Sequence, residues 1–173
     1  MADVHSLLRD FRREDFETLW TIDQDCFAPG IAYSRRELAH YIRQSGSFTL
    51  VAEASPEKAL HPRQSGQNGL NPAIIGFLVA ETRRDTGHLI TIDVLPQAQR
   101  GGVGSRLLRA AEERLLTLHC RRVYLETAVD NLAAIAFYQR HQYSQARIIA
   151  GYYSNGVDAL ILQKDLLSVR QAS

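Results

Sequence analysis

The stretch Val94-Leu95-Pro96-Gln97-Ala98-Gln99-Arg100-Gly101-Gly102-Val103-Gly104-Ser105 constrains this chain more than any other. An apolar, β-like segment, His88 to Leu95, runs into it, and the amphipathic run Arg106 to Leu118 follows. The order is strand, glycine-rich turn, helix N-terminus. Glycines at 101, 102 and 104 bring the backbone close to a ligand without Cβ interference. The unpaired N–H groups of the first helical turn and the positive end of the helix dipole face outward there. Arg100 adds a fixed charge beside them. Such a turn suits a phosphate.

Spacing narrows which phosphate. A Walker loop needs Lys then Ser or Thr after its last glycine, and Gly104 is followed by Ser105-Arg106. A dinucleotide fingerprint needs an acidic residue about 20 positions on, where Glu126 stands, so the glycines alone leave that choice open. They match Gln/Arg-x-x-Gly-x-Gly/Ala as Gln99-Arg100-Gly101-Gly102-Val103-Gly104. This resembles the acetyl-CoA pyrophosphate loop of the GNAT N-acetyltransferase superfamily. The alternative is a glycine-rich turn with no ligand.

Composition excludes several classes. At 173 residues and 45% hydrophobic, the chain fits one domain over 1–173 with one sizeable core. A net charge of +1 and a pI near 7.9 give no basic surface for nucleic acid and no acidic tail. Cys26 and Cys120 form no CxxC, and the six histidines show no HExxH or zinc spacing, so no metal is expected. The cysteines read as reduced thiols. With no signal-like N-terminus and no apolar run of spanning length, the expectation is a soluble, cytoplasmic protein without a membrane partner, monomer or homodimer.

Along the chain, Ser6 to Phe11 reads as a strand, and Arg12 to Asp15 opens a helix that places Phe16, Leu19 and Trp20 on its apolar side. Breakers at Cys26 to Gly30 end it, and Ser34 caps a second helix to about Gln44. The apolar loop Phe27 to Tyr33 serves either core closure or one wall of a substrate groove, with Phe27 and Tyr33 as candidates. Ser47–Ala54 and Ala73–Thr82 read as hairpin partners around a polar excursion, Ser55 to Pro72, taken as a flexible loop within the domain. A helix with Val103, Leu107, Leu108, Ala111, Leu115 and Leu118 on one face follows the glycine turn. Then come a strand at Arg122–Thr127, a helix at Asn131–His141, and two strands, Ser144–Tyr153 and Val157–Asp165, joined at Asn155-Gly156. The order β, α, α, β, β, β, α, β, α, β, β is mixed α/β (α+β), with about seven strands and four helices. It is also the element order of the GNAT fold. The resemblance, not the spacing, implies that strands 4 and 5 splay apart to admit a pantetheine arm.

A second constellation follows. On a helix, Asn131, Ala134, Ile135 and Tyr138 share one face, with small alanines leaving room for something thin beside it. Glu126 lies near the end of the preceding strand, on the face opposite Val123 and Leu125. Together with Gly151-Tyr152-Tyr153-Ser154-Asn155-Gly156-Val157-Asp158-Ala159, this set resembles the RimI-type ribosomal-protein-alanine N-acetyltransferases and related N-terminal acetyltransferases, over about Ser6 to Leu166. That resemblance implies Glu126 as general base, Tyr138 as general acid, Asn131 as a coenzyme contact, and Tyr152 and Tyr153 as a peptide-groove wall. Two departures stand out: His141-Gln142-Tyr143 replaces Leu-Gly-Phe, and the Phe27–Tyr33 loop lacks the Phe-Pro-Trp-Ser pattern. Read singly, Glu126 is a solvated strand-end residue, Tyr138 core filler, Asn131 a helix cap, and Tyr152 and Tyr153 strand aromatics.

The chemistry that the resemblance implies is acetyl transfer from acetyl-CoA, as cosubstrate, to a primary amine. The amine must lose a proton to attack, and a donor eases departure of the thiolate. An α-amine has a pKa near 7.7 to 8.0 against about 10.4 for Lys, about 3.5 kcal/mol less deprotonation cost. A protein or peptide N-terminus is therefore the easier acceptor for a site whose base is Glu126, acting directly or through water. Backbone N–H groups at Ile92, Asp93 and Val94 are expected to hold the thioester carbonyl, and residues Gln99 to Ser105 the diphosphate. A small-amine or antibiotic acetyltransferase and a non-catalytic acyl-CoA-binding domain are the alternatives.

Overall fold

The computed structural model describes residues 6–27, 30–54 and 73–167. The excursion 55–72 and positions 28 and 29 of the α1–α2 loop lie outside them. Seven strands form one sheet: β1 (Ser6–Asp10), β2 (Ser47–Ala54), β3 (Ile74–Arg83), β4 (Thr86–Val94), β5 (Arg122–Ala128), β6 (Ser144–Ile149) and β7 (Ala159–Asp165). The four helices are α1 (Phe16–Cys26), α2 (Arg35–Arg43), α3 (Val103–Thr117) and α4 (Leu132–Arg140). Spatial order is β1-β2-β3-β4-β5-β7-β6, antiparallel throughout except for β4 against β5. The fold expected from the sequence is the fold observed.

Two of the four helices, α2 and α4, start at a side-chain cap. The Ser34 side chain accepts from the Glu37 N–H while Glu37 returns a bond to the Ser34 N–H, a capping box that opens α2. Asn131 caps α4 by accepting the Ala134 N–H at 3.1 Å. The predicted stripe on α3 is buried except at its end: Val103, Leu107, Leu108, Ala111 and Leu115 are at most 1% exposed, whereas Leu118, expected on the same face, is the C-cap of the helix and 48% exposed. The buried residues pack on Leu78, Leu89, Val123, Leu125 and Leu162 on one face of the sheet. Burying each large aliphatic side chain contributes roughly 1.5–3 kcal/mol. A smaller cluster of Leu19, Ile22 and Leu38 with Val51, Phe77 and Val79 seats α1 and α2 on the opposite face. Central strands buried on both faces explain the near-continuous apolar run Ile74 to Ala80.

The parallel ladder decides where a site can form. Pairing of β4 with β5 runs from Thr86↔Arg122 to Leu89↔Leu125 and stops. On the other side of β4, the register with β3 shifts between Val79 and Ala80, whose partners are Thr91 and Leu89, so Ile90 is the extra residue of a β-bulge. A bulge bends and twists the strand that carries it. Beyond Ile90, β4 leaves β5, opening a wedge between Ile92–Val94 and Glu126–Ala128. The splay that the sequence supplied only through resemblance thus has a visible local cause.

The last hairpin differs from expectation. β6 ends at Ile149 and β7 begins at Ala159, so Tyr152 and Tyr153 lie in the connection rather than in a strand. Asn155 and Gly156 do turn, with Gly156 at φ 82° and its N–H bonded to the Tyr153 carbonyl at 2.8 Å. Asp158, however, draws the connection wider by accepting the Gly151 N–H at 2.8 Å. A side-chain acceptor outcompetes the tight two-residue hairpin here.

Candidate active site

The glycine turn is built as the spacing predicts. Arg100 (φ 60°) and Gly102 (φ 81°) both adopt the left-handed conformation, and Gly102 is the N-cap of α3 without a side-chain cap. The first intrahelical bond is Arg106 N–H to Gly102 C=O at 3.0 Å, so the amides of Val103, Gly104 and Ser105 point out of the helix with no intrahelical acceptor. Gly104 fits against α4. A Cβ there would lie 3.5 Å from the Phe137 ring and 3.7 Å from Val94 Cγ2, which ties the turn to both walls of the wedge. Gln99 and Arg100 are exposed, but Gln99 Nε2 already donates to the Val94 carbonyl at 3.0 Å.

On the β4 wall, Leu95 N–H bonds the Ile75 carbonyl at 3.0 Å. Alternation along an antiparallel ladder then turns the backbone groups of Asp93 toward β3 and those of Ile92 and Val94 toward the wedge. Of the three amides expected there, the Ile92 and Val94 N–H groups face the gap and that of Asp93 does not. The Asp93 side chain is instead fully enclosed. Thr91 Oγ1 donates to its Oδ1 at 2.7 Å, Oδ2 has no partner among the described residues, and burial holds its pKa well above the usual carboxylate range.

Glu126 and Tyr138 enter the wedge from β5 and α4. Tyr138 is 6% exposed, edge-on to Phe137 (centroids 5.1 Å) and Tyr143 (5.4 Å). Its hydroxyl has no protein hydrogen bond among the described residues. Burial, then the nearby Asp93, pushes the phenol's pKa up, so it keeps its proton at neutral pH.

Glu126 has a partner that sequence reasoning missed. His88 Nε2 lies 2.6 Å from Glu126 Oε2, and His88 Nδ1 lies 3.1 Å from Glu81 Oε1. The ring stacks on Tyr124 at 4.3 Å with a 5° interplanar angle. Imidazole bridges two carboxylates in a line Glu81–His88–Glu126, so a proton reaching one end can move along it. Gln44 Nε2 (2.5 Å) and Arg83 Nε (2.7 Å) hold the Glu81 end. The signal was present in the hairpin: with a turn at residues 84 and 85, Glu81 and His88 are cross-strand partners, and the parallel ladder sets His88 beside Tyr124.

Tyrosines close the acceptor side. The Tyr33 hydroxyl donates to the carbonyl of the bulged Ile90 at 3.2 Å, and its ring meets Tyr41 at 5.1 Å. The rings of Tyr152 and Tyr153 meet edge-on at 5.1 Å, and burial raises both phenols. Tyr152 is 48% exposed. Ser154 Oγ donates to the Gly30 carbonyl at 2.9 Å, so the β6–β7 connection touches the α1–α2 loop across the cleft. Phe27 caps α1 and is half-buried in that loop. Cys26 donates to the Val94 carbonyl at 3.4 Å, and burial pushes its thiol up to about 12, leaving it unreactive.

A sequence profile of the acetyltransferase (GNAT) family matches residues 6–143. The chain belongs to that family. The GNAT match spans β1 to Tyr143 and so contains the bulge, the glycine turn, Glu126 and Tyr138. The N-alpha-acetyltransferase of Saccharolobus solfataricus is 32% identical over 81 residues, 46% of this chain and 48% of that protein. The chain thus spans about half the length of the curated relatives it matches. Among solved structures, the ribosomal-protein-S18-alanine N-acetyltransferase of Escherichia coli superposes with a TM-score of 0.74 at 23% identity, over 94% of both chains. Arabidopsis thaliana NAA60 in complex with a bisubstrate analogue gives a TM-score of 0.74 at 20% identity, over 93% of this chain and 99% of that one. At these identities the structural likeness speaks for the GNAT fold. Among the described residues, no helix is long and apolar enough to cross a membrane and no cluster of His, Cys, Asp and Glu could hold a metal.

Proposed function

We propose that this protein transfers the acetyl group of acetyl-CoA to a primary amine, the N-terminal α-amine of a protein or peptide, a ribosomal protein being one such acceptor. The observation that carries this reading is the wedge beyond Leu89↔Leu125, bordered by outward amides on β4, the glycine turn, Tyr138 and the Glu126–His88 pair. The residues fit the coenzyme. The amides of Val103, Gly104 and Ser105 with Arg100 take the diphosphate. The Ile92 backbone groups and the Val94 N–H take the pantetheine amides and the thioester carbonyl, and the free amide of Asn131, whose oxygen is spent on its cap, is a further donor. The names of the similar proteins support an N-terminal acceptor.

The steps follow from the geometry. The acceptor ammonium releases its proton to Glu126, directly or through a water, and His88 passes it toward Glu81. The neutral amine attacks the thioester carbon while the β4 amides stabilise the oxyanion. As the C–S bond breaks, the nitrogen gives its second proton to Glu126, emptied by the relay, while the Tyr138 hydroxyl donates a hydrogen bond to the departing sulfur and coenzyme A leaves as the thiolate. Cys26 takes no part.

The test is acetyl-CoA turnover on paired peptides with free and blocked N-termini and an internal lysine. Activity confined to free N-termini supports the reading. Equal activity on blocked peptides, or preference for a polyamine, refutes the acceptor.

A further inference from the structure

The departure His141-Gln142-Tyr143 places an imidazole against the glycine turn. His141 is the C-cap of α4, its N–H bonded to the Tyr138 and Gln139 carbonyls, and Gln142 follows at φ 69°. His141 Nε2 lies 2.9 Å from Ser105 Oγ. The ring is fixed edge-on to Phe137 at 4.7 Å and 85°, the same ring that backs Gly104. On α3, Arg109 Nε donates to the Ser105 carbonyl at 3.3 Å. Ser105 is therefore held from two sides, while its N–H faces outward.

A hydroxyl has one hydrogen to give. With the imidazole neutral and protonated on Nδ1, Nε2 accepts the Ser105 hydrogen and removes it from any ligand. With both ring nitrogens protonated, Nε2–H donates to Oγ and the hydroxyl hydrogen is released toward the turn. We propose that His141 is a positioning residue for the coenzyme's phosphate, setting through Ser105 whether that hydroxyl donates to a phosphate oxygen. This rests on the coenzyme reading given above.

Linkage follows. Burial lowers the pKa of His141; Glu112 on α3 raises it, while Lys164 on β7, Arg109 on α3 and Arg140 on α4 lower it. The imidazole is then mostly neutral at pH 7 in the free protein. A phosphate oxygen bonded to Ser105 favours the protonated ring, so coenzyme binding takes up a proton and strengthens as pH falls. Since both the diphosphate and the 3′-phosphate monoester are candidates, with the latter titrating near pH 6 itself, the ligand chemistry named is a phosphate oxygen.

Calorimetric titration of the full chain with coenzyme A and with 3′-dephospho-coenzyme A, at pH 6 to 8 in buffers of different ionisation heat, tests this. Wild type is expected to take up a fraction of a proton and to bind about tenfold more tightly at pH 6 than at pH 8, the worth of one charge-assisted bond. In His141→Gln, whose amide can donate to Ser105 without titrating, the pH dependence and proton uptake should fall to what the ligand's own 3′-phosphate contributes and vanish with the dephospho ligand; Ser105→Ala should do the same. Thermal melts confirm that each variant is folded. A separate readout is the His141 ring resonance, whose titration should move upward when coenzyme A is added. A pH response that persists with the dephospho ligand assigns the diphosphate; one that disappears assigns the 3′-phosphate. Proton uptake in His141→Gln equal to wild type, or a resonance that does not move, overturns the proposal while leaving the coenzyme reading intact. Absence of binding heat with either ligand at every pH overturns both.

Discussion

Replacing Tyr138 by Phe isolates one atom. The ring is nearly enclosed and held edge-on by Phe137 and Tyr143, contacts that Phe reproduces. The hydroxyl makes no protein hydrogen bond among the described residues, so removing it leaves no orphaned partner and stability should be nearly unchanged. The loss falls on the reaction. A cysteine-like thiol has a pKa of about 8.5 against about 10 for an ordinary phenol, and burial lifts Tyr138 above that ordinary value. Complete proton transfer from phenol to thiolate is therefore uphill by about 2 kcal/mol or more. Tyr138 then acts mainly as a hydrogen-bond donor to sulfur as charge develops, a contact to a charged group worth roughly 1.5–3 kcal/mol.

Converted to rates, that interaction predicts a fall in kcat of about 10- to 150-fold. Coenzyme affinity should change by less than about threefold and the melting temperature by a degree or two. Steady-state kinetics on a free N-terminal peptide, calorimetric titration with coenzyme A and a thermal melt give the three readings. A kcat within threefold of wild type would remove Tyr138 from the chemistry. A large loss of coenzyme affinity with kcat preserved would make it a binding residue only.

Substituting His88 by Gln keeps a polar side chain between Glu81 and Glu126 but ends proton movement along the line. The expected result is a kcat loss of about 100-fold or more with coenzyme binding intact, and unchanged turnover would reduce His88 to a structural bridge. Asp23 is fully buried, its Oδ1 is without a partner among the described residues, and burial pushes its carboxyl up to about 6 from 3.8. The folded state holds this proton more tightly than the unfolded one, so the stabilisation is whole below about pH 4 and drains away as pH rises through 6. Asp23→Asn, which keeps an acceptor for the Tyr33 N–H, should therefore be the more stable protein above pH 6, by on the order of 3 kcal/mol in denaturant titrations; a variant no more stable at pH 8 would contradict this. A Cβ at Gly76 would lie 2.6 Å from the Asp93 carbonyl oxygen. Gly76→Ala should destabilise by about 1–3 kcal/mol and also weaken coenzyme binding by displacing the end of β4, and an unchanged melting temperature would show that the strand yields freely.

Much of the architecture was legible because it rests on local patterns. The α3 stripe, the Ser34 box and the apolar strands each state their element within a few residues, and the glycine spacing states the turn. Glu126 and Tyr138 were legible by order alone: strand parity turned Glu126 away from the core face, and helical spacing put Asn131 and Tyr138 on one side of α4. The boundaries of β6 and β7 were not. β-prone aliphatic and aromatic residues continue through Tyr153, whereas the bond from Gly151 N–H to Asp158 comes from a side chain seven positions away.

The wedge itself has no local signature. Ile90 looks like any strand residue; it is the extra one only because Val79 and Ala80 on β3 pair with Thr91 and Leu89. That skip also reverses the alternation along β4. Before it, His88 shares the face of Tyr124 and Glu126, and after it, Ile92 and Val94 send their backbone groups into the gap. One inserted residue therefore both parts β4 from β5 and sets the bridging imidazole on the acceptor side, while Tyr33 fixes the bulge by donating to the Ile90 carbonyl. Deleting Ile90 would restore pairing through Val94, close the wedge and turn either His88 or Ile92 to the wrong face. No single side-chain substitution could achieve that, so the wedge is a property of register first and of residue identity second.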